Sequence, residues 1–325
     1  MSISIIKSKP GCTIQDEGRF GFQALGINPT GVMDLHAMHI ANALLGNALS
    51  EAVIEFIFPA PVFYFHRNTF ISLSGADFGA TINNTSIPVN RPIFIPAETT
   101  LHFTKKIRGN FAYLAVQSGF ELQDWLGSYS THKKVGAGGL HGDDLQKGDI
   151  IHFRNEQKNY VHEDVMVMPW QADVGDFYNS TIYCTSAPES IISDNESTHW
   201  WKDQYFTILP NSDRMGYRLS GGNFEKVDTA EITSSAVTRG TIQLPPNKIP
   251  IVLMADHQTT GGYARIANIC ASSFSSFAQQ VFNSPFMMEM ISIKEAEKKW
   301  IEQYYHLQIL QQACTLRIKE QFHAY

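Results

Sequence analysis

The 325-residue sequence predicts a mainly β protein, a sandwich or barrel with few helices. Three observations carry this. Short runs of strand formers recur throughout the chain, separated by Pro, Gly and Asn turns. Aromatic residues make up 12%, with 21 Phe, alongside many β-branched residues, a composition that fits pleated surfaces. Long helical patterns do not alternate with the strands, as they would in a βα-unit fold.

The first half gives strand-like runs at Ile3–Ile6, Val53–Phe56, Val62–Phe65, Thr69–Leu73, Ile93–Ile95, Thr100–Phe103, Phe111–Val116 and Asp149–Phe153. One helix interrupts them. Asp34 can cap its start, Leu35, Met38, Ala41 and Leu45 form its apolar stripe, and Gly46 can end it. Asn42 lies on or beside that stripe, so its amide needs a partner, either a backbone group or a ligand.

Around Asn155–Glu163 the sequence turns polar, which sets a boundary between an N-terminal β-rich subdomain (residues 1–160) and a second β-rich subdomain (161–296). Strands are expected in the latter at Val165–Met168, Ser180–Cys184, Tyr205–Leu209, Ile232–Val237, Thr241–Leu244 and Ile249–Met254, with a helix over Ser273–Val281. Ser292 and Glu295 form a capping-box pattern. Trp300, Tyr304, Leu307, Leu310, Cys314 and Ile318 then trace a stripe for a C-terminal helical extension (297–325), expected to pack on its own barrel.

Composition narrows the function. A net charge of −6, without a Lys/Arg block, disfavours nucleic acid. Cys12, Cys184, Cys270 and Cys314 are widely spaced, so neither a zinc site nor a disulfide framework is expected. The N-terminus lacks a signal-peptide layout, and no apolar run spans a membrane. The expectation is a soluble, cytoplasmic protein. Phosphate-loop, dinucleotide, zinc-protease and serine-elbow motifs are absent. Gly136–Gly139 reads as a turn, and His36 with His39 lacks the further ligands a metal needs.

Chemistry concentrates in the run from Ala255 to Ile266 after a strand-like segment. It sets Asp256, His257, Gln258, Thr259, Thr260, Gly261, Gly262, Tyr263 and Arg265 within a few positions. Glycines there allow positive φ or close approach to a ligand. The run is either a polar turn or a ligand-contacting loop.

Four ordered blocks carry a family resemblance. Pro10-Gly11-Cys12-Thr13-Ile14-Gln15-Asp16-Glu17-Gly18-Arg19 resembles a PG-x-T-x-QD-x-GR opening. Thr30-Gly31-Val32-Met33-Asp34, followed by Ala41-Asn42, Gly46-Asn47 and Glu55, resembles an SG-x-MD…AN…GN…LE block. The third block is Ser212-Asp213-Arg214-Met215-Gly216-Tyr217-Arg218-Leu219 with Thr241-Ile242-Gln243-Leu244-Pro245. The fourth is Asp256–Ile266. Together they resemble the KipA family, also described as allophanate hydrolase subunit 2-like and as the C subunit of bacterial 5-oxoprolinase. The blocks are also similar to part of the carboxyltransferase region of urea carboxylase.

The resemblance implies a cyclophilin-like β-barrel architecture and two partners, a KipI-like B subunit and a LamB/YcsF-like A subunit. It implies opening of 5-oxo-L-proline to L-glutamate with ATP hydrolysis. ATP belongs to the complex, and the chain has no biotin-attachment segment. Two other readings share the resemblance: a biotin-dependent carboxyltransferase subunit acting on a urea-like amide, and an antagonist that binds a KipI-like protein without chemistry.

Departures from the pattern fall at Tyr129, Asp143 and His257, where arginines are expected, and put an anionic ligand there in doubt. Lactam opening is most simply driven by phosphorylating the amide oxygen. It needs donors for oxyanion charge and a base for the attacking water. The candidates are Arg265 and Arg214 for charge, with Asp256 or Asp213 as base. Gln258, Thr259, Gly261, Gly262, Tyr263, Asn42, Arg218 and Gln243 are the candidates for substrate binding. Each has a structural alternative. Asp213 with Arg214 or Arg218 can pin a turn, Gln243 can satisfy barrel backbone groups, and Tyr263 can be a core aromatic with its hydroxyl at the rim.

Overall fold

A computed structural model describes residues 2–154, 163–174, 181–187, 204–222, 224 and 233–322. The chain divides into two compact units. The first comprises Met1–Arg19, Asp34–Asp173 and Tyr305–Tyr325. The second comprises Phe20–Met33 and Val174–Tyr304. The polar stretch at 155–162, Ser180 and Ile232 lie outside the described residues.

The first unit holds twelve of the described strands. They are β1 (Ser2–Lys7), β2 (Thr13–Gln15), β3 (Val53–Phe56), β4 (Val62–Phe65), β5 (Thr69–Asp77), β6 (Ala80–Ile82), β7 (Thr85–Ser86), β8 (Pro92–Ile95), β9 (Thr99–Phe103), β10 (Arg108–Val116), β11 (Ile150–His152) and β12 (Met166–Val167). They form two six-stranded sheets, ordered β11-β1-β4-β9-β6-β7 and β12-β8-β5-β10-β3-β2. Alternation sets the inner faces. Along β1, Ile3 and Ile5 are fully buried while Ile6 is exposed. Along β4, Phe63 and Phe65 point inward. Phe63 packs edge-on against Phe56 and Phe103, and the latter two are tilted against each other, with centroids 4.9–6.3 Å apart.

Helix α1 (Leu35–Leu44) begins as expected. Asp34 takes extended backbone angles and its carboxylate accepts from Ala37 N at 3.0 Å. Nearly every side chain on it is buried, because it lies against β5 and β10. Ser72 Oγ on β5 donates to Ala41 O, and Ser74 Oγ donates to Ala37 O.

The second unit carries β13 (Thr181–Ser186), β14 (Tyr205–Ile208), β15 (Gly216–Gly221), β16 (Ser235–Ala236), β17 (Thr241–Leu244), β18 (Ile251–Leu253), β19 (Thr260–Gly261), β20 (Ala264–Ile269) and β21 (Phe286–Met290). Seven of these close a barrel in the order β13-β20-β17-β18-β15-β14-β21, with β21 and β13 parallel. Tyr217, Phe277, Phe206 and Phe286 fill it. The mainly β, barrel-containing class predicted from the sequence is the fold observed. β16 and β19 form a separate two-stranded ribbon.

The helix expected over Ser273–Val281 is shorter. A 3-10 turn at Ala271–Ser273 leads into α2 (Phe274–Ala278). The serine-rich run has few strong helix formers, and Gln279 already leaves helical angles.

Helix α3 (Ile293–Phe322) opens with the expected capping box. Ser292 N donates to Glu295 Oε2 at 3.0 Å and Glu295 N to Ser292 Oγ at 3.2 Å. Of its predicted stripe, Leu307 and Cys314 are buried, whereas Trp300 and Tyr304 are about half exposed and stack on each other. The part of the helix in the first unit packs on the end of α1 rather than on a barrel. Gln311 Nε2 donates to Asn47 O at 2.9 Å, and Thr315 and Ile318 lie over Gly46. Gly46 has φ +68, a left-handed turn at the end of α1 that favours glycine.

Candidate functional site

In the second unit, β18 ends at Leu253 and the chain turns out of the barrel. Met254 N donates to Met215 O and Asp256 N to Arg214 O, so this turn is stitched to the segment preceding β15. The stitching places the Asp256 carboxylate against the Arg214 guanidinium in a two-point contact, 2.9 Å to Nε and 3.0 Å to Nη2. Arg214 Nη2 also donates to Gly31 O. Asn28 donates to Asp256 O and His257 O, both at 2.8 Å, from a segment 228 residues away in sequence.

His257 is buried and its Nδ1 lies 2.6 Å from Gln258 O, which requires the proton on Nδ1. Burial pushes its pKa below the ordinary value, and the Arg239 cation adds to the effect. The imidazole is therefore a neutral structural group at neutral pH. Arg239 donates to Val32 O and Met33 O and stacks 4.1 Å over Phe274.

Beyond Gln258 the chain forms the ribbon. Ser235 pairs with Gly261 and Ala236 with Thr260, and Val237 N donates to Thr259 O at 3.2 Å. Arg265, on β20, donates to Ala236 O and Ser235 Oγ at 2.9 Å each, so its guanidinium holds the ribbon. Gln243, its register partner on β17, is buried and accepts from Gln258 Nε2 at 3.4 Å. A Cβ on Gly261 would lie 2.4 Å from Gln243 Nε2. Glycine at 261 thus serves close approach; neither Gly261 nor Gly262 takes a positive φ. Tyr263 is 41% exposed, and Thr260 is exposed beside it.

The structure thus gathers Arg214, Gln243, Asp256, Gln258, Thr259, Gly261, Gly262, Tyr263 and Arg265 in the second unit. Asp213 and Arg218 lie in the turn before β15 and along it. The Asp213 carboxylate accepts from Met215 N and Gly216 N, and Arg218 donates to Asn211 O, so both brace the turn. Asn42 belongs to the first unit. Its amide donates to Leu49 O and Glu51 O and accepts from Asn47, which meets its needs with protein groups alone.

In the first unit, Asp16 accepts from Gly18 N, Tyr129 N, Ser128 Oγ and Ser130 Oγ. Arg19, 1% exposed, donates to Ser130 O and lies 4.5 Å over Trp125. Tyr129 presents its ring 5.9 Å from the Arg154 guanidinium, and Asp143 is exposed 3.6 Å from Lys133 Nζ. Among the described residues, no His, Cys, Asp and Glu side chains converge as a metal site, and no helix is long and apolar enough to cross a membrane.

Sequence reasoning missed Asn28, Ser235 and Arg239, which position the site's loops. Asn28 and Arg239 each stand beside a Pro or Gly turn, a common setting with no distinguishing signal.

Chemically, the arrangement sets the Arg265 guanidinium and the Gln243 and Gln258 carboxamides beside a glycine-containing ribbon followed by an exposed phenol, with the Arg214–Asp256 pair at the start of the same loop. That composition suits recognition of carbonyl and carboxylate oxygens.

Residues 25–289 match the family model described as carboxyltransferase domain, subdomain A and B. The chain is 32% identical to the C subunit of 5-oxoprolinase from Haemophilus influenzae, covering 91% of this chain and 93% of that protein. It is 31% identical to the C subunit of 5-oxoprolinase from Escherichia coli, over the same shares of each chain. The solved structure of Kluyveromyces lactis urea amidolyase superposes with a TM-score of 0.80 at 21% identity, covering 95% of this chain but only 20% of that one. That last likeness concerns the fold alone. The chain belongs to the carboxyltransferase domain family of subdomains A and B, alongside the C subunits of the two 5-oxoprolinases.

Proposed function

We propose that this chain is the C subunit of an ATP-dependent 5-oxoprolinase, opening 5-oxo-L-proline to L-glutamate together with a KipI-like and a LamB/YcsF-like subunit. The observation that supports this most is the identity of 31–32% over nearly the full length of two proteins named as the C subunit of 5-oxoprolinase. A protein named as one subunit among several speaks for a multi-subunit assembly.

In this reading the barrel-end cluster handles the lactam. Arg265 and Arg214 supply positive charge for oxygen that becomes anionic as the ring opens. Gln258, Thr259, Gly261, Gly262 and Tyr263 shape the loop against the substrate. Asp256, held in a fixed orientation by Arg214, takes the base role ahead of Asp213, whose oxygen caps its own turn. Asn42 is assigned to scaffold and not to substrate. ATP is consumed by the complex. The described residues of this chain hold no glycine-rich strand-to-helix phosphate cradle.

The test is turnover. The chain alone, and the chain co-expressed with its two partners, are assayed for phosphate and glutamate with 5-oxo-L-proline. Both products appearing only with all three components supports the proposal. A second reading follows from the family description itself, a carboxyltransferase acting on a urea-like amide. It predicts a stable complex without 5-oxoproline turnover that consumes carboxybiotin in the presence of urea.

A further inference from the structure

We propose that Gln243 is the specificity-determining donor of the barrel-end site. Its buried side-chain amide receives a carbonyl or carboxylate oxygen of a small cyclic amide once the Ser235–Ala236/Thr260–Gly261 ribbon lifts. This rests on the reading of that cluster as the substrate site.

The observation is an unsatisfied donor in a place that does not need one. Gln243 is 1% exposed, within a strand whose four residues are all buried. Its oxygen is engaged by Gln258, but its Nε2 has no hydrogen-bond partner among the described residues. Exchanging the oxygen and nitrogen of the amide does not help, since a single polar neighbour satisfies one end only. A buried orphan N–H is costly, and an apolar side chain of similar size would fit there without that cost. The amide therefore weakens the free protein unless something else completes it.

The groups around the nitrogen indicate what that is. Gly261 covers it so closely that a Cβ there would lie 2.4 Å away. Gly261 belongs to the ribbon, which pairs through two residues on each strand and is not part of the barrel. Arg265 holds the ribbon through Ala236 O and Ser235 Oγ, and stands opposite Gln243 in the β17–β20 register. Lifting the ribbon uncovers a neutral amide donor beside the Arg265 guanidinium on the neighbouring strand. Two adjacent donors, one neutral and one cationic, suit a ligand with two acceptor oxygens, one of them anionic. A lactam carrying a carboxylate has both.

The experiment uses the assembled complex and two variants, Gln243→Leu and Gly261→Ala. Thermal stability and its shift are measured with 5-oxo-L-proline, 2-pyrrolidinone and urea as probes, and KM for 5-oxo-L-proline is taken from the same samples. The expected result is that Q243L melts at or above the wild-type temperature, yet binds 5-oxo-L-proline and 2-pyrrolidinone about 10-fold or more weakly. G261A crowds the nitrogen only while the ribbon is down, so it lowers the melting temperature of the free protein and leaves binding of the same two probes undiminished. Lower stability of Q243L with unchanged KM would mean a structural role and overturn the inference, leaving the proposed function standing. Stabilisation by urea and not by 5-oxo-L-proline, lost in Q243L, keeps the donor and overturns the substrate. No stabilisation of the wild type by any probe overturns the inference.

Discussion

Two polar clusters invite comparison, one in each unit. Around Asp16 every carboxylate contact is filled by a donor from the chain, and Arg19 is sealed between Ser130 O and Trp125. Around Gln243 a buried donor is left over, a tyrosine is 41% exposed, and the covering strand is two residues long. Both clusters come from motif blocks of similar polarity. The difference lies in the two central groups: both Asp16 oxygens are taken by donors of the chain, whereas Gln243 Nε2 has no hydrogen-bond partner among the described residues and so has capacity for a ligand. The first therefore reads as scaffold, and the second as site.

The sharpest break of that contrast is Asp16→Ala. It strips the acceptor from two backbone N–H groups and two hydroxyls in a buried setting, and should cost about 3–5 kcal/mol, read by urea unfolding. If stability were unchanged and only turnover fell, the scaffold reading of this cluster would be wrong.

Asp256→Ala should be milder for folding and harsher for function. Each side chain of the pair is about one-fifth exposed, so a loss of about 1–3 kcal/mol is expected, with turnover of the complex falling further than stability explains. Equal losses would make the pair a brace only.

A third test uses pH. His36 sits buried on α1, and burial drops its pKa from 6.5 to about 3, with His39 and His306 adding to the effect. The unfolded chain binds this proton below about pH 6.5, while the folded chain resists it until about pH 3. Stability from this group is complete above pH 6.5 and falls as pH drops, by about 1.4 kcal/mol per unit within that window. Glu17, whose pKa is lowered by its hydrogen bond to His39, adds a loss in the same direction at lower pH. Chemical unfolding from pH 7 to pH 4 should show this slope in the wild type and a flatter one in His36→Leu. Parallel slopes would place the acid sensitivity elsewhere.

The smallest effect is expected on the outer face of α3. Lys298 and Glu302 are 3.8 Å apart, with side chains 77% and 63% exposed, and Lys298→Ala should change melting by no more than a solvated pair allows, under about 0.5 kcal/mol. A larger loss would show this face to be covered in the assembly.

Much of the fold was legible in the sequence, and the reasons are local. Asp34 as a cap and Ser292 with Glu295 as a capping box declare themselves within four residues, because those hydrogen bonds are made within one turn. Runs such as Val62–Phe65 consist of β-branched and aromatic residues, which suit a pleated surface and mark a strand by residue type alone. Strands β15 and β20 went unseen. GYRLSG and ARIANI mix glycine, arginine and small residues, and closing the barrel, not propensity, holds them extended.

The site was legible as residue types, not as partners. The run from Asp256 to Arg265 stood out, but nothing local says that Asp256 faces Arg214, that Arg265 grips a ribbon, or that Asn42 is consumed by Leu49, Glu51 and Asn47. Those facts are made by contacts distant in sequence. Asn28, reaching Asp256 across 228 positions, is the extreme case.

The most direct test of the account is 5-oxo-L-proline turnover by the three-component complex, wild type against Arg265→Ala, with the assembly followed by size-exclusion chromatography. The account predicts glutamate and phosphate from the wild type, an intact complex for the variant, and turnover reduced by about 100-fold or more. An intact variant complex with full turnover would contradict the assignment of the chemistry to the barrel-end site.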